Sequence, residues 1–120
     1  MRTMKLNDSE IKIMDVLWRE GDLPAKKLSE ILEKQVGWEI NTTYTLLRRC
    51  IKKGIISRRE PHFICHALVT KEQVQEQAAS ELIDKVFDGS ADLLFASVIN
   101  RRTLTPEEIA RLKRLVEELE

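Results

Sequence analysis

No run of apolar residues in this sequence approaches the length needed to span a bilayer, and Met1 to Leu6 lacks the apolar core of a signal peptide, so a cytoplasmic protein without direct membrane association is expected. Cysteine is scarce. Cys50 and Cys65 cannot make a disulfide framework, and the simplest role for both is as small, reduced core residues. A Gly-rich phosphate loop, a nucleophile triad and a convincing metal-ligand cluster are all missing, which argues against an enzyme and leaves no cofactor to expect. His62, Cys65 and His66 lie within five positions, yet on a strand His62 and His66 would share one face and Cys65 the other, so no metal site is expected there. Net charge is also absent, with 20 basic and 20 acidic residues in 120.

The zero hides an asymmetry. Residues 1–69 carry 13 basic and 9 acidic side chains, hence +4, whereas residues 70–120 carry 7 and 11, hence −4. A basic front suits a polyanion, and an acidic, helix-forming tail suits protein contact. At 42% hydrophobic content, a chain of this length can bury one small core and carry an appendage.

The basic charge peaks between Asn41 and Glu60, where six Lys and Arg face one acid. Here Asn41 offers an N-cap, Leu46, Leu47, Cys50 and Ile51 recur at helical spacing, and Gly54 can end the helix in a left-handed conformation. The opposite face presents Asn41, Thr42, Tyr44, Thr45, Arg48 and Arg49, whose amide, hydroxyl and guanidinium groups suit base edges and phosphates. Upstream, an Asn7–Glu10 capping box opens a helix with Ile13, Met14, Val16, Leu17 and Trp18 on its apolar face. Pro24 fits the first position of a second helix that Gly37 ends. Downstream, Ile55–Arg59 and Phe63–Val69 read as two strands around a Pro61 turn, with Leu23 a candidate third strand. Helix, turn, helix, helix, hairpin is the order of a winged helix-turn-helix domain, and Arg58 and Arg59 on the wing would lie along the phosphate backbone.

From Thr70 the pattern is helical again. Thr70 with Gln73 and Thr105 with Glu108 are capping boxes, Ser90 is a cap, and Pro106 sits at a first helical position. The apolar positions Val74, Leu82, Val86, Leu94, Phe95 and Val98, then Ile109, Leu112, Val116 and Leu119 at seam spacing, exceed what three short helices can bury among themselves. The expected architecture is therefore mainly α with a small β-hairpin wing: a DNA-binding winged helix in residues 1–69 and a helical dimerisation domain in 70–120.

These motifs together resemble the family of winged-helix repressors that includes the penicillinase, methicillin-resistance and copper-transport repressors. Leu6–Glu10, Ile13–Trp18, Trp38, Thr42, Thr45–Leu47, Arg49, Lys52–Gly54 and Thr105–Leu112 carry the resemblance, which covers nearly the whole chain. It implies a homodimeric transcriptional repressor on an inverted-repeat operator in double-stranded DNA. Thr42 and Thr45 would face bases with Asn41 and Arg49 beside them, and Tyr44, Arg48, Arg58 and Arg59 would hold the backbone. Asn41 stands where a lysine is common in the family. The antibiotic-resistance branch is switched by a membrane-bound sensor protease that cuts the dimerisation region; the corresponding segment here is Ala96, Ser97, Val98 and Ile99, without that branch's Asn-Phe bond. The copper branch's cysteine-rich tail has no counterpart after Leu119, so metal control of that type is not expected. The competing reading is a winged-helix docking module without sequence-specific DNA binding, for which the six basic residues would have no use.

Overall fold

Four polar caps and four glycines divide this chain into six helices and three short strands in the computed structural model, which describes residues 5–101 and 104–119. The segment before Leu6 and the end of the tail therefore fall partly outside the described residues. The elements are α1 (Asp8–Glu20), β1 (Leu23–Pro24), α2 (Ala25–Val36), α3 (Ile40–Lys53), β2 (Ile56–Arg59), β3 (Ile64–Ala67), α4 (Lys71–Val86), α5 (Ala91–Arg101) and α6 (Pro106–Glu117). They form two compact units, Met1–Ala79 and Ser80–Glu120.

In the first unit, α1 begins at the expected capping box: Glu10 N–H donates to Asn7 Oδ1 and Asn7 N–H to Glu10 Oε1, both at 2.9 Å. Two helix starts differ from expectation. Pro24 is the N-cap of α2, with extended backbone, rather than its first residue, because it also pairs with Ile64 in the sheet. Asn41 is not the N-cap of α3. That helix starts two residues earlier, at Ile40, capped by Glu39 with no side-chain hydrogen bond, which leaves the Asn41 amide outside the capping role. The end of α3 follows expectation: Gly54 is left-handed (φ 89°), and its N–H donates to Cys50 and Ile51 carbonyls at 3.1 Å.

The strands form an antiparallel sheet in the order β1-β3-β2, in which Leu23 pairs with Cys65 and Arg58 with Cys65 from the other side. The core lies among α1, α2, α3 and the sheet. Ile13, Met14, Val16, Ala25, Leu28, Leu32, Leu47, Cys50, Ile56 and Cys65 are among its fully buried members. Trp18 sits at its margin, half-buried, and its indole N–H donates to Val69 O at 2.9 Å, tying the chain leaving the hairpin to α1.

One charged residue is inside this core. Glu10 is 1% exposed, and its carboxylate accepts from Lys53 Nζ at 2.8 Å as well as from Asn7 N–H. Lys53 Nζ also donates to Lys5 O, so the last turn of α3 holds the residues leading into α1.

The second unit closes its helices as expected. Thr105 and Glu108 make a reciprocal capping box with Pro106 in the first turn, and Ser90 Oγ accepts from Leu93 N–H. The Thr70–Gln73 box opens α4 within the first unit.

Removing the cation from the Glu10 pair while keeping the buried carboxylate should be costly: Lys53→Met is expected to destabilise the protein by about 3 kcal/mol. Adding Glu10→Gln should recover part of that loss. Urea unfolding of wild type, single and double variants reads both effects, and equal stability of Lys53→Met and wild type would show the pair to be dispensable.

Candidate nucleic-acid interface

The start of α3 and the adjoining end of its connector form an open groove lined by Ser9, Trp38, Asn41, Thr42, Thr45 and Leu46. Helical geometry produces this set. Positions 41, 42 and 45 fall on one side of α3, while 43, 46, 47 and 50 turn into the core. Trp38 and Leu46 supply apolar floor, and Ser9 enters from the second position of α1. Asn41, Thr42, Thr45, Arg48 and Arg49 are all exposed. The two hydroxyls and one amide thus project together from a rigid helix, a donor and acceptor set that can address base edges. Ser9 and Leu46 were not among the residues expected at the interface; Ser9 lies 32 positions before Asn41, and no periodicity signals that approach.

Tyr44 is different. It is half-buried with its ring edge-on to Phe63, centroids 5.8 Å apart at 84°, so its ring supports the wing. Phe63 in turn lies beneath Arg58, whose Cζ is 3.8 Å from the ring centroid. A strand alternates its faces, and adjacent arginines therefore cannot act as one stripe. Arg58 shares the face of Ile56 and stacks toward Phe63, while Arg59 turns the other way and lies 3.6 Å from Asp22 Oδ2. Each is paired in this state: Arg58 Nε donates to Glu60, and Asp22 also accepts from His66 Nδ1 at 2.8 Å. Of the six basic residues between Asn41 and Glu60, Lys53 is turned to Glu10, away from the role of a free surface cation.

Cys50 of α3 and Cys65 of β3 are both fully buried free thiols. Removal from water pushes the Cys50 thiol up to about 12, with the Glu10 carboxylate adding to the shift, and pushes Cys65 up to about 11 for the same first reason. A thiol so held stays protonated and unreactive at neutral pH. His62 lies in the turn with a left-handed backbone, outside the strand that would have aligned it with His66. Among the described residues, no three of His, Cys, Asp and Glu are placed to hold one metal ion.

In the second unit the apolar residues find few partners. Among the described residues neither α4 nor α6 buries a single side chain. Leu82, Val86, Phe95, Ile109, Leu112, Val116 and Leu119 are exposed, with Val116 at 66% and Leu119 at 82%, while Val74, Leu94 and Val98 are half-buried. Ile99 is exposed as well, and Leu93 and Leu115 add exposed apolar surface that the apolar spacing did not point to. An apolar groove of about 510 Å³ runs between Ile99, Leu104, Ile109, Leu112 and Val116. Ala96, Ser97, Val98 and Ile99 are consecutive residues within α5.

Three comparisons bear on this arrangement. The family model described as penicillinase repressor matches residues 6–118. The methicillin resistance regulatory protein MecI of Staphylococcus aureus (strain N315) is 25% identical over 117 residues, covering 96% of this chain and 95% of that protein. The penicillinase repressor of Bacillus licheniformis is 22% identical over 116 residues, covering 95% and 91%. The solution structure of the DNA binding domain of the repressor BlaI superposes with a TM-score of 0.55 at 24% identity, over 61% of this chain and 93% of that one. Its fold is therefore shared with the winged-helix part described above.

The raised thiols make an alkaline prediction. Because folding holds Cys50 and Cys65 above their ordinary 9.0, stability is fully present below pH 9 and declines as pH rises toward 11 and 12. Urea midpoints measured from pH 8 to 11 should fall, and Cys50→Ala should flatten that slope while lowering the plateau. A Cys50→Ala variant with an undiminished slope would assign it to other groups.

Proposed function

Because the chain belongs to the penicillinase repressor family, whose matched members are regulators and repressors rather than enzymes, we propose that it is a homodimeric transcriptional repressor that occupies an inverted-repeat operator. The observation that carries the DNA-reading part is the projection of Asn41, Thr42 and Thr45 from one exposed side of α3, beside Arg49 and next to a basic wing. In this reading α3 enters the major groove, with Asn41, Thr42, Thr45 and Arg49 at base edges. Arg48, Arg58, Arg59 and the Tyr44 hydroxyl contact the backbone, and they hold register without reading sequence. Residues 1–69 form the DNA-binding part and residues 70–120 the dimerisation part, acting in the cytoplasm where the operator is.

The dimer is motivated by the exposed apolar face of α4, α5 and α6. A face this large costs solvation free energy in a monomer, at about 25 cal/mol per Å² of apolar surface, and a second copy related by two-fold symmetry covers it. The same symmetry makes the operator an inverted repeat. Repression requires no chemistry of the protein, only exclusion of polymerase from an occupied promoter.

In this reading repression is relieved by proteolysis within Ala96–Ile99 by a membrane-bound sensor protease. Those residues are helical, and a protease takes its substrate extended, so α5 must first unwind locally; its lack of a large buried core keeps that opening cheap.

Selection of bound sites from random duplexes at physiological salt is expected to enrich an inverted repeat whose half-sites lie about one helical turn apart. Thr42→Ala and Thr45→Ala should each lower discrimination against random DNA by about 1–3 kcal/mol per lost base contact. Enrichment of no sequence, with affinity insensitive to salt, would instead indicate a docking module. For the switch, mass spectrometry after incubation with the cognate sensor should find a cut between Ala96 and Ile99; operator release by an intact chain would exclude it.

A further inference from the structure

The wing arginines are not free in the unbound protein, and the acids that hold them come from two separate places. Glu60, just past β2, accepts from Arg58 Nε, while Phe63 covers the same guanidinium from one side. Asp22, in the turn between α1 and β1, lies 3.6 Å from Arg59 Nη1 and accepts from His66 Nδ1 at 2.8 Å. One carboxylate thereby grips both strands of the hairpin, since Arg59 belongs to β2 and His66 to β3. All four charged partners remain substantially open to water, Asp22 at 42% and Arg59 at 59%. Pairs so exposed are weak and readily exchanged.

A DNA phosphate is chemically the same kind of partner as these carboxylates: an oxyanion that accepts from a guanidinium. We propose that Asp22 and Glu60 are positioning residues that compete internally with the DNA backbone for Arg59 and Arg58, so that the wing engages DNA only by exchanging carboxylate for phosphate. The proposal rests on the DNA-binding reading above. Its consequence concerns background binding. Non-specific affinity comes almost wholly from phosphate contacts, whereas operator affinity also draws on base contacts by α3. Neutralising the wing in the free state costs both complexes the same free energy, which is a larger share of binding to random DNA than of binding to the operator, where base contacts add to the total.

The test measures affinity for random and selected duplexes across a salt series, using the full-length protein. Asp22→Asn and Glu60→Gln should each tighten random-DNA binding about threefold and steepen its salt dependence by up to about one released ion, with a similar fold gain on the selected site, where it is a smaller part of the total affinity. Asp22→Glu should restore wild-type behaviour. In an Arg59→Ala background, Asp22→Asn should have little further effect, because the competition it relieves is gone. A gain from Asp22→Asn that persists undiminished without Arg59 would reduce Asp22 to a general like-charge repulsion and overturn the proposal. An unchanged salt slope in both single variants would overturn it as well. Wild-type protein that binds no DNA in a salt-dependent way would fail the DNA-binding reading itself, and this proposal with it.

Discussion

The carboxylate of Glu10 is buried, and a buried carboxylate is tolerated only where donors surround it. Two of its donors are the Asn7 backbone N–H and Lys53 Nζ, which bind together the first turn of α1 and the last turn of α3. Much of the reading face depends on this pairing. The groove beside Asn41, Thr42 and Thr45 is completed by Ser9, the residue immediately before Glu10. The ion pair thus anchors α1 against α3 at one end, while Leu46, Leu47 and Cys50 anchor α3 to the core along its length. A polar pair is directional where apolar packing is not, and it selects one register of α3 against α1 among the several that hydrophobic contact would accept.

A second chain of dependence runs from α3 into the wing. Tyr44 meets Phe63 edge-on, Phe63 carries Arg58, and Phe63 O accepts from Ala25 N–H at 2.9 Å, so the hairpin turn is fastened both to α3 and to the start of α2. Tilting α3 would move the wing with it. In a repressor this linkage is useful, because base-reading and backbone-holding groups must arrive on the duplex in one fixed relation.

The second unit obeys a different physics. Its helices are well capped, by Ser90 in α5 and by Thr105 with Glu108 in α6, so local hydrogen bonding favours helix. Capping satisfies a helix end but buries no apolar surface, and α6 leaves Ile109, Leu112, Leu115 and Val116 largely in water. Helices of 11 and 12 residues are marginal without packing. In the proposed dimer the missing packing comes from the second copy. Folding of this unit and association would then be coupled, which makes a cut in α5 an effective way to dissolve the dimer.

Much of this was legible in the chain itself. Capping boxes, glycine stops and apolar periodicity located α1, the end of α3, the starts of α4 and α6 and the core stripe of the winged helix, because each rests on residues three or four apart, and the β-type runs around Pro61 located the hairpin. The resemblance to the repressor family likewise needed only sequence, and residues 6–118 belong to it. Tertiary structure decided the rest. Asn41 was expected to cap α3, but the helix begins at Ile40, and so the Asn41 side chain lines the groove with Thr42 and Thr45. Pro24 was expected inside α2, but pairing with Ile64 holds it in the sheet. Lys53 turned inward to Glu10 across 43 positions. Arg58 and Arg59, adjacent in sequence, went to opposite faces, and Asp22 reached the wing from a turn 37 residues before Arg59. Pro24, Lys53 and Arg59 were each set by a partner far along the chain, and no local pattern encodes the identity of a distant partner.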